Sequence, residues 1–305
     1  MILRLSSVHM IWDQGPHNAF TDLIRWRDRF YCAFREGSGH VEGLGTIRVL
    51  ASGDGESWEP VGVLEMDGYD LRDAHLAVTP DDRLMVLGGA AIVDEKGRRT
   101  GTFAAFSEEG RTYTRPQIVV APGRWLWQVT WHKGRAYGVS YGGPGEGAHS
   151  SLLVSDDGIT WTEHVPALLS KGWPTEATVR FDGDLLLCLH RRDGEDNSAH
   201  LGVSAPPYED FTWHDLGRYY GGPNFIEVPG IGWIGAGRII EEQARTVLTA
   251  IDTDAGTMTP LLELPSGGDT SYPGLVWHNN LLWVSYYSSH EAKTSIYLAQ
   301  VRVDS

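Results

Sequence analysis

This sequence predicts an all-β ring, a six-bladed β-propeller closed by pairing of its N- and C-terminal strands. Three observations carry that expectation. A turn heptad recurs: "SGDGESW" starts at Ser52, "SEEGRTY" at Ser107 and "SDDGITW" at Ser155, with weaker relatives at Ser204 and Asp252. A repeat of about 50 residues built from short alternating segments is the signature of four-stranded propeller blades. Out of phase with the heptads run six strand–turn–strand segments. Finally, the last repeat ends one strand short, and the N-terminal "ILRLSSVHM" can supply that strand.

The six hairpins, in chain order, are "TDLIRWRDRFYCAFRE", "RDAHLAVTPDDRLMVLGG", "QVTWHKGRAYGVSYGG", "TEATVRFDGDLLLCLHRR", "NFIEVPGIGWIGAGR" and "YPGLVWHNNLLWVSYY". Each joins two extended runs through a polar turn and reads as the two innermost strands of one blade. The final blade continues with "TSIYLAQVRV" and the chain then ends. Pairing the termini removes an exposed sheet edge. No linker or low-complexity stretch divides the chain, so residues 1–305 are expected to form one domain.

Composition agrees. The chain carries 37 glycines, 12 tryptophans and 12 tyrosines, which suits tight turns and aromatic strand contacts. A formal net charge of -15 argues against nucleic-acid binding, since an acidic surface repels phosphate backbones. Cys32 and Cys188 are the only cysteines, which gives neither a disulfide framework nor a zinc pattern. No cofactor and no metal are expected. The N-terminus lacks a clean apolar run with a cleavage site, and no apolar stretch is long enough to span a bilayer. A cytoplasmic protein without a membrane partner is the expectation, and oligomeric state stays open.

The heptad reads as structure. It joins an apolar strand ("GTIRVLAS", "SSLLVS") to a strand that opens on an aromatic residue. Asp54 and Asp157 can accept N–H groups within the turn, and Gly55 and Gly158 can take positive φ. Trp58, Tyr113 and Trp161 are placed to pack between blades.

Successive strands run antiparallel, so the start of the first strand and the end of the second share one face of the ring. The heptads share the other. A ligand site is therefore expected on the first face, around the axis. Superposing the hairpins puts Arg35, Gly89, Tyr141, Arg191, Arg238 and Tyr287 at the end of the second strand. "CAFR" superposes on "CLHR", and "GAGR" adds a third arginine. Converging like charges cost energy unless an anion offsets them, and arginine suits bidentate capture of a carboxylate. The start of the first strand gives Asp22, Asp73 with His75 nearby, Gln128, Glu176, Asn224 and Tyr272. Six polar residues at one position suit a binding site or a polar channel better than a core.

The heptad resembles the Asp-box (BNR) repeat of the sialidase superfamily, S-x-D-G-x-[ST]-W, and through its period the resemblance covers the whole chain. It implies a six-bladed propeller. "TEATVRFDGDLLLCLHRR" resembles the sialidase segment in which a glutamate opens one strand and an arginine ends the next. "SYPGLVW" resembles the segment that carries the nucleophilic tyrosine. The resemblance then implies Tyr272 as nucleophile, Glu176 as its base, and Arg191 and Arg238 as arms of a carboxylate clamp. The chemistry is coherent. An anionic nucleophile is repelled by a sugar carboxylate, whereas a neutral tyrosine is not.

Blade one departs from that pattern. Sialidases place an arginine at its start, where this chain has "HNAFTDL". Arg35 is the candidate replacement. Their acid/base aspartate sits on a blade-one loop, where "REGSGHVEGLG" offers Glu36, His40 and Glu42. Asp73 and Glu36 are taken as candidate acids. Asp22, His40, Gln128, Asn224 and Tyr287 complete the candidate substrate contacts. The expected activity is an exo-acting, retaining glycoside hydrolase on a terminal, acidic sugar of a glycan. Two alternatives stay open. One is a lyase using Tyr272, His40 or His75 on a uronate. The other is a non-catalytic carbohydrate-binding propeller that uses the arginines with Trp125, Trp127, Tyr141, Tyr286 and Tyr287.

Overall fold

A computed structural model describes residues 1–95, 97–143 and 147–304. They form six four-stranded antiparallel sheets. Blade one is β2 (His17–Trp26), β3 (Arg29–Gly37), β4 (Thr46–Ser52) and β5 (Glu59–Leu64). Blade two runs from β6 (Asp70–Val78) and β7 (Leu84–Asp94) to β8 (Gly97–Ser107) and β9 (Gln117–Val120). Blades three, four and five open on β10 (Trp125–His132), β14 (Pro174–Asp182) and β18 (Gly221–Val228). Blade six is β22 (Thr270–His278), β23 (Leu281–Ser288) and β24 (Ser295–Asp304), completed on its outer edge by β1 (Ile2–Trp12). The terminal strands pair from Ile2↔Asp304 to Trp12↔Ile296, as the sequence predicts.

Each opening strand packs against the opening strand of the next blade, and β22 returns to β2, so the ring closes. Between the blades lie apolar seams. Ile47, Val49, Leu71, Leu84, Val86 and Phe103, all fully buried, join blades one and two. Full burial of such a side chain contributes about 1.5–3 kcal/mol. Among the described residues no helix is long and apolar enough to cross a membrane.

The turn heptads close the outer strand pairs. In the first, Gly55 N–H donates to Ser52 Oγ (2.8 Å), and the N–H groups of Glu56 and Ser57 donate to Asp54 Oδ1 (2.9 and 2.8 Å). The copy at Ser155 repeats these bonds through Asp157, and Glu109 takes the aspartate's part at Thr112 in the copy at Ser107. Gly55 has φ +79°, and a Cβ there would stand 2.4 Å from the Trp283 ring of blade six. The turn is thus part of the seam between blades.

One irregularity places the site. In every blade the first strand slips against the second near its start, leaving two residues outside the ladder. These pairs are Phe20–Thr21, Asp73–Ala74, Trp127–Gln128, Thr175–Glu176, Gly222–Pro223 and Tyr272–Pro273. A bulge bends the strand and re-aims side chains. Phe20, Asp73, Gly222 and Tyr272 take positive φ there, between 48° and 61°. For non-glycine residues that conformation is strained and holds only where the surroundings enforce it.

Candidate active site

The bulges of blades four, five and six meet at Tyr272. Its hydroxyl donates to Glu176 Oε1 at 2.5 Å, and Arg191 Nη1 donates to the same Oε1 at 2.6 Å and to the tyrosyl oxygen at 3.1 Å. Gly222 N–H holds the other carboxylate oxygen at 2.8 Å. Gly222 also lies beneath the tyrosine: a Cβ at its φ of +58° would stand 2.9 Å from the ring.

Electrostatics divide the proton unequally. Burial pushes the Tyr272 hydroxyl well above the usual tyrosine value and neighbouring Glu176 adds to it, against opposition from Arg191 and Arg238. Burial pushes Glu176 up too, but the Arg191 charge and the hydrogen bonds from Arg191, Tyr272 and Gly222 outweigh it and leave it below the usual range. The resting pair is a neutral phenol on an ionised carboxylate.

Arg238 approaches from blade five. Its Nε donates to Thr270 O (2.9 Å) and its Nη2 to Tyr287 Oη (3.2 Å), while its guanidinium carbon stands 5.4 Å from the Tyr272 ring centre. Among the described residues no carboxylate lies within ion-pair distance of it. Arg191, by contrast, pairs with Glu176 and with Asp193 (2.9 Å). Tyr287 donates in turn to Asp269 Oδ1 at 3.0 Å.

Asp73 occupies in blade two the bulge position that Tyr272 holds in blade six. It is 3% exposed, and Arg72 Nε donates to its Oδ2 at 2.9 Å. Burial raises its pKa despite the Arg72 charge, and Glu176 raises it further. Arg72 went unnoticed in the sequence. It stands opposite Gly89, the glycine of the superposed ring, and lies 4.9 Å over Phe20. Phe20 in turn packs against Tyr272, so the third arginine near the centre is Arg72. The signal was legible: where the second strand offers only glycine, the first strand supplies arginine.

Arg35 is not that arginine. It is wholly buried, bonded to Asp70 (2.8 Å) and roofed by the carbonyls of Gly39 and Glu42 on the loop of residues 38–45. The cysteine superposition behind it is one residue out of step. Arg35 faces Ala19, the last pair before the bulge, and the residue at that register in blade four is Arg192, facing Pro174. Arg192 is also wholly buried. Arg238, facing Gly221, shares that register, so register alone does not choose the site's arginines: Arg35 is held by Asp70 and its own loop, whereas Arg191, one residue earlier, reaches Glu176 and Tyr272.

Four other candidates lie away from the cluster. Glu36 is held outside by Trp12 Nε1 (2.7 Å) and Arg48 Nε (2.8 Å). Asp22, Gln128 and Asn224 line the channel further along, toward Arg180. Each latches one blade to the next: Asp22 accepts from Leu76 N–H, Gln128 from Thr178 Oγ1, and Asn224 donates to Pro273 O. Asp22 and Asn224 follow the bulge rather than occupy it, which turns them down the channel.

His40 does reach the site, at its rim. Its Nδ1 lies 2.8 Å from Asp269 Oδ2, which also meets His17 Nε2 at 2.9 Å. Aromatic rings wall the centre: Phe20 and Trp127 meet Tyr272 at 5.2 and 5.7 Å, and Tyr141 stacks on Trp125 at 5.8 Å. Beside them a cavity of about 220 Å³ is lined by Trp125, Tyr141, Arg98 and Arg99.

No family model and no curated protein matches the chain. Solved structures share its fold. A Dyadobacter fermentans protein of unknown function is 18% identical with a TM-score of 0.85, covering 99% of both chains. Trypanosoma rangeli sialidase bound to the inhibitor DANA is 11% identical with a TM-score of 0.72, over 97% of this chain and 58% of that one. Penicillium chrysogenum α-L-arabinanase bound to arabinobiose is 14% identical with a TM-score of 0.73, over 97% and 98%. The fold is that of these six-bladed propellers.

Proposed function

We propose that the protein is a retaining, exo-acting glycoside hydrolase that removes a terminal acidic sugar, with Tyr272 as nucleophile and Glu176 as its base. One observation carries this: the neutral Tyr272 hydroxyl sits 2.5 Å from ionised Glu176, with Arg191 touching both oxygens. In the first step the phenol proton passes to Glu176 as the tyrosyl oxygen bonds to the anomeric carbon and the glycosidic C–O bond breaks. Arg191 stabilises negative charge building on the tyrosyl oxygen. Water then cleaves the tyrosyl-glycosyl bond and Glu176 returns the proton.

The acidic sugar follows from Arg238. A guanidinium in this enclosed site without a carboxylate partner is costly unless an anion supplies one. Arg72 and Arg191 flank the same centre, so a substrate carboxylate would meet up to three guanidiniums. It also explains a neutral nucleophile, which such a substrate does not repel. The likeness to propellers named sialidase and arabinanase supports sugar chemistry on this scaffold.

A panel of aryl glycosides of acidic and neutral sugars, with product analysis, tests the reading. Release of an acidic sugar with its anomeric configuration retained is expected. Unsaturated sugars among the products would replace hydrolysis by elimination, and turnover restricted to neutral sugars would remove the carboxylate clamp.

A further inference from the structure

We infer that His40 is the proton donor to the leaving group and that Asp269 is its positioning residue. The inference rests on the hydrolase reading above. Departure of the aglycone oxygen needs a proton, and in an exo-acting enzyme that oxygen points toward the mouth of the site. Asp73 is 3% exposed and bonded to Arg72. Glu36 is held away by Trp12 and Arg48. His40 stands at the mouth, its side chain 45% exposed, on the loop between β3 and β4. Its ring packs edge-on against Phe20 at 5.0 Å, and Phe20 packs against Tyr272 at 5.2 Å. The imidazole and the nucleophile therefore flank one phenyl ring.

Asp269 fixes the imidazole. Its Oδ2 takes His40 Nδ1 at 2.8 Å and His17 Nε2 at 2.9 Å, its Oδ1 takes the Tyr287 hydroxyl, and its backbone N–H is tied to Ser289 Oγ. Burial raises this carboxyl, but the bonds from His17, His40 and Tyr287 outweigh it and hold it ionised. A carboxylate on Nδ1–H leaves Nε2 to carry the working proton, the arrangement by which an acid orients a catalytic histidine. Facing the His40 ring are Asp269, the His17 ring at 5.8 Å and, along its own loop, Glu42. Arg72 Nη2 donates to the His40 carbonyl.

The step balances. His40 Nε2–H gives its proton to the glycosidic oxygen as that C–O bond breaks and the Tyr272–carbon bond forms. In the second half His40 takes a proton from the attacking water, which restores the imidazolium.

His17, His40 and Asp269 also offer three ligand atoms within 4.8 Å of one another. Two features disfavour a metal there. Arg72 and Arg238 approach the same cluster through His40 O and Tyr287, and like charges repel. His17 Nδ1 has no partner among the described residues, whereas a ligating histidine ordinarily donates its other N–H.

The test compares a 4-nitrophenyl and a methyl glycoside of one acidic sugar. Nitrophenolate leaves without a proton, and methoxide does not. His40→Ala and His40→Asn are expected to lose about 10²–10⁴-fold in kcat/KM on the methyl glycoside and under about tenfold on the aryl one. Asp269→Asn shows the same leaving-group selectivity with a smaller loss. Equal losses on both glycosides, or none, would overturn the assignment, as would methyl-glycoside activity abolished by chelation and restored by Zn²⁺. Tyr272→Phe run alongside separates the two readings: activity surviving there sinks the nucleophile and leaves the His40 comparison standing.

Discussion

Tyr272 and Glu176, 96 residues apart in the chain, share one short hydrogen bond of 2.5 Å across two blades. Arg191 closes the triangle, and Gly222 supports both members from below.

Tyr272→Phe removes the nucleophile and keeps the ring. Turnover of an aryl glycoside should fall at least about 10³-fold, with binding of the acidic sugar, followed by titration calorimetry, changed less than about tenfold. Unchanged turnover would end the nucleophile role.

Gly222→Ala introduces a Cβ at φ +58°, 2.9 Å from the Tyr272 ring. Strain at such a position costs about 1–3 kcal/mol. Urea unfolding should show that loss, and activity should fall with it because the ring must move. A fully active, equally stable variant would contradict the packing.

Arg35→Ala and Arg238→Ala should fail in opposite ways. The first removes a wholly buried side chain and the inner partner of Asp70, which keeps Arg98 and Arg72, and should lower the melting temperature. The second should raise KM for acidic over neutral sugars with little change in melting temperature. The reverse pattern would restore Arg35 to the clamp.

Activity should persist on acidification to below the ordinary glutamate value of about 4.3, because the folded Glu176 is held lower than that. The sign for stability is the same. A depressed carboxylate stabilises the fold above its unfolded pKa and loses that contribution as pH falls through its folded pKa. A kcat/KM profile and unfolding midpoints against pH check both, and Glu176→Gln should flatten the stability change.

Asp157→Ala breaks the turn bonds to Ile159 and Thr160, on the face opposite Tyr272. The melting temperature should drop by a few degrees while kcat/KM stays within twofold of the parent, about 0.4 kcal/mol. A large kinetic loss would mean the heptad does more than join strands.

The sequence by itself determined the ring. The heptads at Ser52, Ser107 and Ser155 give the phase, and turn chemistry is local: a serine, an acid and a positive-φ glycine build the bend from their own backbone. That phase also put Tyr272, Glu176, Arg191 and Arg238 on one face. Which arginine and which acid complete the site was decided by tertiary structure. Arg35 and Arg191 looked equivalent because "CAFR" and "CLHR" match in type, but the bulges set them one residue apart, and Arg35 is taken up by Asp70 and the loop above it while Arg238, at the same register, stays in the site. Arg72 takes the third place, from the first-strand position that faces Gly89. Asp269 precedes β22, outside every superposed position, and meets His40 only because blades one and six adjoin when the termini pair. Local propensity writes turns and strands into the chain; ring closure alone sets which side chains from distant blades share one hydrogen bond.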